Sequence, residues 1–136
     1  PGTFWGGFSW HVLSSGSVAG HDSSVIAIVS KVAEISGRIP TLSLISGLNV
    51  GCGTYAPVMT DTVIMIEGSM MAVTGPAVIK VATAEAVTPD QIGGADLHTK
   101  KSGEAHYRVS NYQKAARLMQ RYFSYLPQNT WCLPLV

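Results

Sequence analysis

The chain has 136 residues, 46% of them hydrophobic and 12% charged, with a formal net charge of +1. That length suits one core rather than two, and charge is about half of ordinary usage. No cationic cluster is present to neutralise phosphates, which argues against a nucleic-acid partner, and no apolar run approaches the roughly 20 residues that span a bilayer.

A low-charge, glycine-rich surface is expected to be covered by partner chains or by further sequence. No basic segment followed by an apolar stretch marks a secretory signal, so direct membrane insertion is not expected. The sequence opens at Pro1 without an initiator methionine, so the natural start is expected to lie elsewhere or to have been removed. Cys52 and Cys132 do not make a disulfide framework, and a reducing compartment, cytoplasm or mitochondrial matrix, is expected.

Residues 1–23 combine aromatics and glycines without a period of 2 or 3.6, and are expected to form an atypical arm. The main body is expected over 24–127. Val25, Ile28, Val29, Val32 and Ile35 follow helical spacing, with Gly37 as the stop. After Pro40, Leu42 and Leu44 alternate with Thr41 and Ser43 as in a strand. The turn-rich GLNVGCG follows, with a helix expected near Thr54. Thr62–Glu67 is a second apolar strand, and Ser69–Val73 a third.

Pro76, after Gly75, sits at a first helical position before AVIKVAT. Thr88-Pro89-Asp90-Gln91 has the spacing of a capping box. GGADLHTKKSG reads as a loop. Ser110 to Gln113 reads as a second capping box, opening a helix with Ala115, Leu118, Met119, Tyr122 and Phe123 on its apolar face. Pro127 ends it, and 128–136 is expected to be irregular. Alternating helices and buried strands predict an α/β layered fold.

The chemistry concentrates in SLISGLNVGCGTYAPVMTD. Glycines at 47, 51 and 53 let the main chain turn between strand and helix. Unpaired N–H groups at such a junction lie at the positive end of the helix dipole. Two of them converging on one point would stabilise a thioester carbonyl as it becomes an enolate. The same junction also suits phosphate binding or a purely structural turn. It is neither a Walker motif nor a dinucleotide fingerprint.

Four stretches taken together, GRIPTLSLISG, YAPVMTDTVIMIEGSMMAVTGPAVIK, VTPDQIGGADLHTKKSG and RLMQRYFSYLP, resemble the carboxyltransferase (β) subunits of biotin-dependent acyl-CoA carboxylases. The likeness is to the later half of the N-terminal domain of propionyl-CoA carboxylase-like enzymes. It implies a crotonase (ClpP)-like spiral of ββα units, here as a partial domain. Carried over by position, Gly51 and Cys52 would supply the two N–H donors. Gly47, Gly53, Thr54, Tyr55, Gly75 and Pro76 would line the acyl-CoA site. The family usually has glycine at both donor positions, so Cys52 departs from it and implies a narrower acyl pocket. Gly53 stands where alanine is common, and Thr54 where serine is common.

The resemblance also implies a reaction. Carboxybiotin on a separate carrier releases CO₂, the biotin nitrogen takes the α-proton of a short acyl-CoA, and the enolate takes up CO₂. The implied partners are acyl-CoA, a biotin carboxyl carrier protein, biotin carboxylase and other carboxyltransferase chains. Residues 1–23 do not match the family's upstream half-domain, so the isolated chain is expected to be a poor catalyst. Two alternatives stay open: a biotin-dependent acyl-CoA decarboxylase subunit, and a non-catalytic assembly subunit.

Other residues offer less. Cys52 as a nucleophile needs a nearby base, and sequence does not place His11, His21, His98 or His106 beside it. His98 is read as organising its loop, and Lys100 and Lys101 as solvated rather than phosphate-binding. Asp61, Glu67, Asp90 and Asp96 read as isolated carboxylates, and no His/Cys spacing suggests a metal. Met65, Met70 and Met71 read as core.

Overall fold

A computed structural model describes residues 10–13 and 22–127. The irregular tail expected over 128–136, Cys132 and most of the amino-terminal arm lie outside the described residues. In chain order the elements are β1 (Trp10–Leu13), α1 (Asp22–Ile35), β2 (Leu42–Ile45), β3 (Leu48–Val50), α2 (Tyr55–Val58), β4 (Thr62–Ile66), β5 (Met70–Ala72), α3 (Pro76–Thr83), α4 (Pro89–Gly93), α5 (Ala95–Leu97), β6 (Tyr107–Val109) and α6 (Tyr112–Ser124).

The strands form two parallel sheets, one ordered β1-β2-β4-β6 and a smaller one pairing β3 with β5. The chain passes from the large sheet to the small one and then into a helix, twice: β2-β3-α2, then β4-β5-α3. This is the ββα spiral of the crotonase fold. A parallel strand must return by a crossover: α1 carries the chain from β1 to β2, β3 and α2 carry it from β2 to β4, and β5 with α3, α4 and α5 carries it from β4 to β6.

Both faces of the large sheet are covered, which is why β2 and β4 read as nearly continuous apolar runs. Every residue of β2 and β4 is buried. Leu42, Leu44, Ile64 and Ile66 point to one face and pack with Ala115 and Met119 of α6. Ile45, Val63 and Met65 point to the other, with Met71, Ala95 and Ala105. The register Leu44↔Ile64 and Ile45↔Met65 keeps each set on its own side; a slip of one residue would exchange the faces. Met65, Met70 and Met71 are core, as expected.

Side chains close the gaps that the ladder leaves. Asp61 accepts from both the N–H and the hydroxyl of Thr41, each at 2.7 Å. It thereby ties the start of β2 to the turn before β4. Thr88 caps α4 as a capping box, as its spacing predicts. The cap of α6 is Asn111, whose side chain accepts from Lys114 N at 2.9 Å. Ser110, the expected cap, sits between that residue and the end of β6.

Four further elements differ from the sequence reading. Trp10–Leu13 is a strand inside the stretch that showed no period. Leu48–Val50 is a strand inside the glycine-rich turn, and Tyr107–Val109 is an edge strand. GGADLHTKKSG is largely helical: α5 runs into a π-helical turn over His98–Ser102. Gly93 and Gly94 are there for close approach, whereas Gly103 ends the segment with a φ of 78° in open space. A Cβ at Gly93 would lie 2.4 Å from the Met71 carbonyl oxygen.

α3 has an apolar sequence but no buried residue, and Val81 is 89% exposed. Among the described residues no helix is long and apolar enough to cross a membrane.

Candidate active site

The candidate turn lies where β3 ends. Gly51–Thr54 form a 3-10 turn that runs directly into α2, so the helix expected near Thr54 is present. Gly51 has φ of 71°, a conformation that costs an L-residue about 1 kcal/mol or more. Among the described residues the only non-glycine in that region is Ala84. Positive φ is therefore required at 51, where glycine is kept, and not at 52. Cysteine at 52 adds a side chain without straining the main chain.

The turn's carbonyls are bound internally. Gly51 O accepts from Thr54 Oγ1 at 2.7 Å, Cys52 O from Tyr55 N, and Gly53 O from Asn49 Nδ2 at 3.2 Å. Asn49 and Thr54 are 7% and 3% exposed, while the Cys52 side chain is free and exposed. Thr54, expected to line a binding site, faces inward. Tyr55 stays exposed beside Cys52, while Ala56 and Pro57 are buried.

The remaining expected residues divide. Gly75 caps α3, and a Cβ there would lie 3.6 Å from Val50 Cγ1, so Gly75 and Pro76 stand beside the end of β3. Gly47 lies at the other end of β3, where its carbonyl accepts from Met70 N at 2.9 Å. The structure thus gathers Gly51, Cys52, Gly53, Tyr55, Gly75 and Pro76 around one strand end and leaves Gly47 at the opposite end. Asn49 was missed, because its partner Gly53 is visible only once the turn is built.

No general base adjoins Cys52 among the described hydrogen bonds. His98 Nε2 donates to Met71 O at 2.6 Å, which leaves Nδ1 to accept from Ser102 Oγ at 2.8 Å. His98 is thus the organiser of its segment. His106 Nδ1 accepts from Val63 N at 3.1 Å. No group of His, Cys, Asp and Glu suited to a metal occurs among the described residues.

Glu67 and Asp96 are not isolated. Arg108 on β6 bridges Glu67 at 2.9 Å and also contacts Asp96, which Lys100 meets at 2.9 Å. Hydrogen bonds from Lys100 and then Arg108 hold the Asp96 carboxyl below the ordinary 3.8. Glu67 and Asp96 together push the Arg108 guanidinium up. With the folded value depressed, Asp96's contribution is complete above the ordinary carboxylate value and is lost as pH falls through the folded one. Exposure keeps it small. Arg108→Gln should lower the thermal midpoint near neutral pH, and the gap to the parent should close as pH falls below the ordinary carboxylate value and through the depressed one of Asp96. A gap independent of pH would show that the ion pairs contribute nothing.

Comparison with known proteins agrees with this fold. The carboxyl transferase domain model matches residues 13–134. The biotin-dependent acetyl-/propionyl-coenzyme A carboxylase beta5 subunit of Mycobacterium tuberculosis is 48% identical over 95 residues, which is 69% of this chain and 17% of that protein. The methylmalonyl-CoA decarboxylase subunit alpha of Veillonella parvula is 40% identical over 95 residues, again 69% of this chain and 19% of that one. Transcarboxylase 12S, solved as a hexamer with hydrolysed methylmalonyl-coenzyme A bound, superposes with a TM-score of 0.78 at 34% identity, covering 83% of this chain and 22% of that one. The chain therefore spans about a fifth of the length of the proteins it matches. With the spiral and the sequence match in agreement, the chain belongs to the carboxyl transferase domain family.

Proposed function

We propose that this chain is the acyl-CoA-holding part of a biotin-dependent carboxyltransferase. In this reading it takes part in moving a carboxyl group from carboxybiotin to the α-carbon of a short acyl-CoA. The observation that carries the reading is the turn after β3. There a glycine with positive φ is followed by an exposed residue at the start of a helical turn. The N–H groups of Gly51 and Cys52 are the assigned donors to the thioester oxygen as negative charge develops on it. Gly53, Tyr55, Gly75 and Pro76 would form the surrounding wall.

The turn itself carries no carboxylate, imidazole or amine, so its part is to hold and polarise. Biotin on a carrier protein would supply the carboxyl group and the proton acceptor when bound. The remaining catalytic parts would come from other carboxyltransferase segments or chains. The exposed valines of α3, Val78 and Val81, support a covered surface within such an assembly. A cytoplasmic or mitochondrial-matrix setting fits this role. The likeness to a decarboxylase subunit favours a second direction of transfer on the same site. Co-purifying partners would separate the two: a biotin carboxylase with carboxylation, a membrane-embedded pump with decarboxylation.

The site has a direct test in the exposed thiol. Propionyl-CoA at ten times its Kd should slow alkylation of Cys52 by about tenfold, followed by peptide mass spectrometry of the full chain. Unchanged labelling by propionyl-CoA and acetyl-CoA alike would remove the site from this turn.

A further inference from the structure

In a planar trans peptide the C=O of one residue points opposite to the N–H of the next. Whatever fixes the Gly51 carbonyl therefore fixes the Cys52 N–H. Here that is the hydroxyl of Thr54, 2.7 Å from Gly51 O. Asn49 does the same for the peptide after Gly53, through the 3.2 Å bond from its Nδ2. The peptide between these two is held by Tyr55 N on Cys52 O. Three successive peptide planes are thus pinned, two of them by buried side chains that the solvent does not reach.

Building on the assignment of Gly51 and Cys52 as donors, we propose that Thr54 is a positioning residue, which locks the direction of the Cys52 N–H, and that Asn49 supports it by holding the Gly53–Thr54 peptide that carries Thr54 into place. The inward-facing Thr54 acts on the substrate only through that donor. Asn49 and Gly53 form a matched pair: a Cβ at 53 would lie 2.7 Å from Asn49 Oδ1. The asparagine occupies the space that an alanine at 53 would need, so glycine at 53 is the condition for Asn49 to keep its bond.

A hydroxyl bonding back to a carbonyl three residues earlier is common in helices as a merely local contact. The two roles separate in kinetics. In the holoenzyme that contains this chain, with propionyl-CoA as acceptor, Thr54→Val should lower kcat on the order of tenfold, because a slightly misdirected donor costs rate. KM should stay within about twofold, since the interaction is made in the transition state. The thermal midpoint should fall only modestly, by the worth of one buried hydrogen bond, and Thr54→Ser should restore most of the rate. Gly53→Ala should displace Asn49 and lower kcat similarly. In an Asn49→Ala background, where the space is open, Gly53→Ala should add no further loss.

Parent-like kcat for Thr54→Val overturns the proposal. So does a loss that serine fails to rescue and that follows the thermal midpoint, or additive effects of the Asn49 and Gly53 changes. Failure of propionyl-CoA to protect Cys52 would overturn the site assignment itself. Protection retained with a parent-like Thr54→Val would leave the site standing and remove only the positioning role.

Discussion

Gly93→Ala is expected to lower stability by about 3 kcal/mol, at the upper end for an added methyl in a packed interior. The added carbon would lie 2.4 Å from Met71 O, 2.9 Å from Met71 C and 3.0 Å from Ala72 Cβ. The first two are main-chain atoms of β5, so no side chain can swing aside to relieve them. The same Met71 oxygen accepts the His98 Nε2 hydrogen bond, and pushing it away strains that bond as well. Ala72 pairs with Val50, the residue before Gly51, so the disturbance would reach the candidate turn. Urea midpoints of the purified variant measure the effect. Gly68→Ala is the control, since its φ of 76° is strained but nothing lies within 4 Å of the added carbon; it should cost about 1 kcal/mol. If Gly93→Ala proved no worse than Gly68→Ala, close packing would not be the reason for the glycine.

That glycine also shows where sequence reading failed. Gly93-Gly94 and the lysine pair that follows look like loop punctuation, yet the segment is helical and pressed on a strand. A contact between main chains leaves no apolar period to read. The long buried strands were legible because β2 and β4 are apolar along their whole length. β3 was not, since only Asn49 of its three residues is buried, and β6 has no buried residue at all. Glu67 and Asp96 seemed unpaired because their common partner, Arg108, is 41 and 12 residues away.

At the candidate site the position of the turn was legible and its construction was not. Glycine spacing marked the bend after the strand. The division of labour within it, with Gly51 taking positive φ and Thr54 and Asn49 facing inward, depends on dihedral angles and burial. Thr54 was expected to line the site because the family resemblance carries its position into the glycine-rich turn. A 3-10 turn rotates each successive residue by about 120°, and that rotation carries Thr54 to the buried side while Cys52 faces solvent.

The donor assignment itself is tested by deleting one hydrogen. Cys52 lies in the first turn of a helical segment that begins after Val50, where an N–H has no intrahelical partner and proline is tolerated. Cys52→Pro should therefore keep the turn while removing the N–H. In the holoenzyme it should reduce kcat by about 100-fold, the usual cost of one oxyanion donor, or about 2.7 kcal/mol of transition-state stabilisation. KM should change little, because the lost bond strengthens only as charge develops. Cys52→Ala keeps the N–H and removes the thiol, and should retain most of the parent's rate. Cys52→Gly also keeps it and opens the acyl pocket, so longer acyl-CoA esters should gain relative to propionyl-CoA. Circular dichroism and the thermal midpoint check that the proline variant remains folded. A folded Cys52→Pro that turns over within a few-fold of the parent would exclude this N–H as a donor. Loss of activity in Cys52→Ala would instead make the thiol the working group, and the oxyanion reading of the turn would fall.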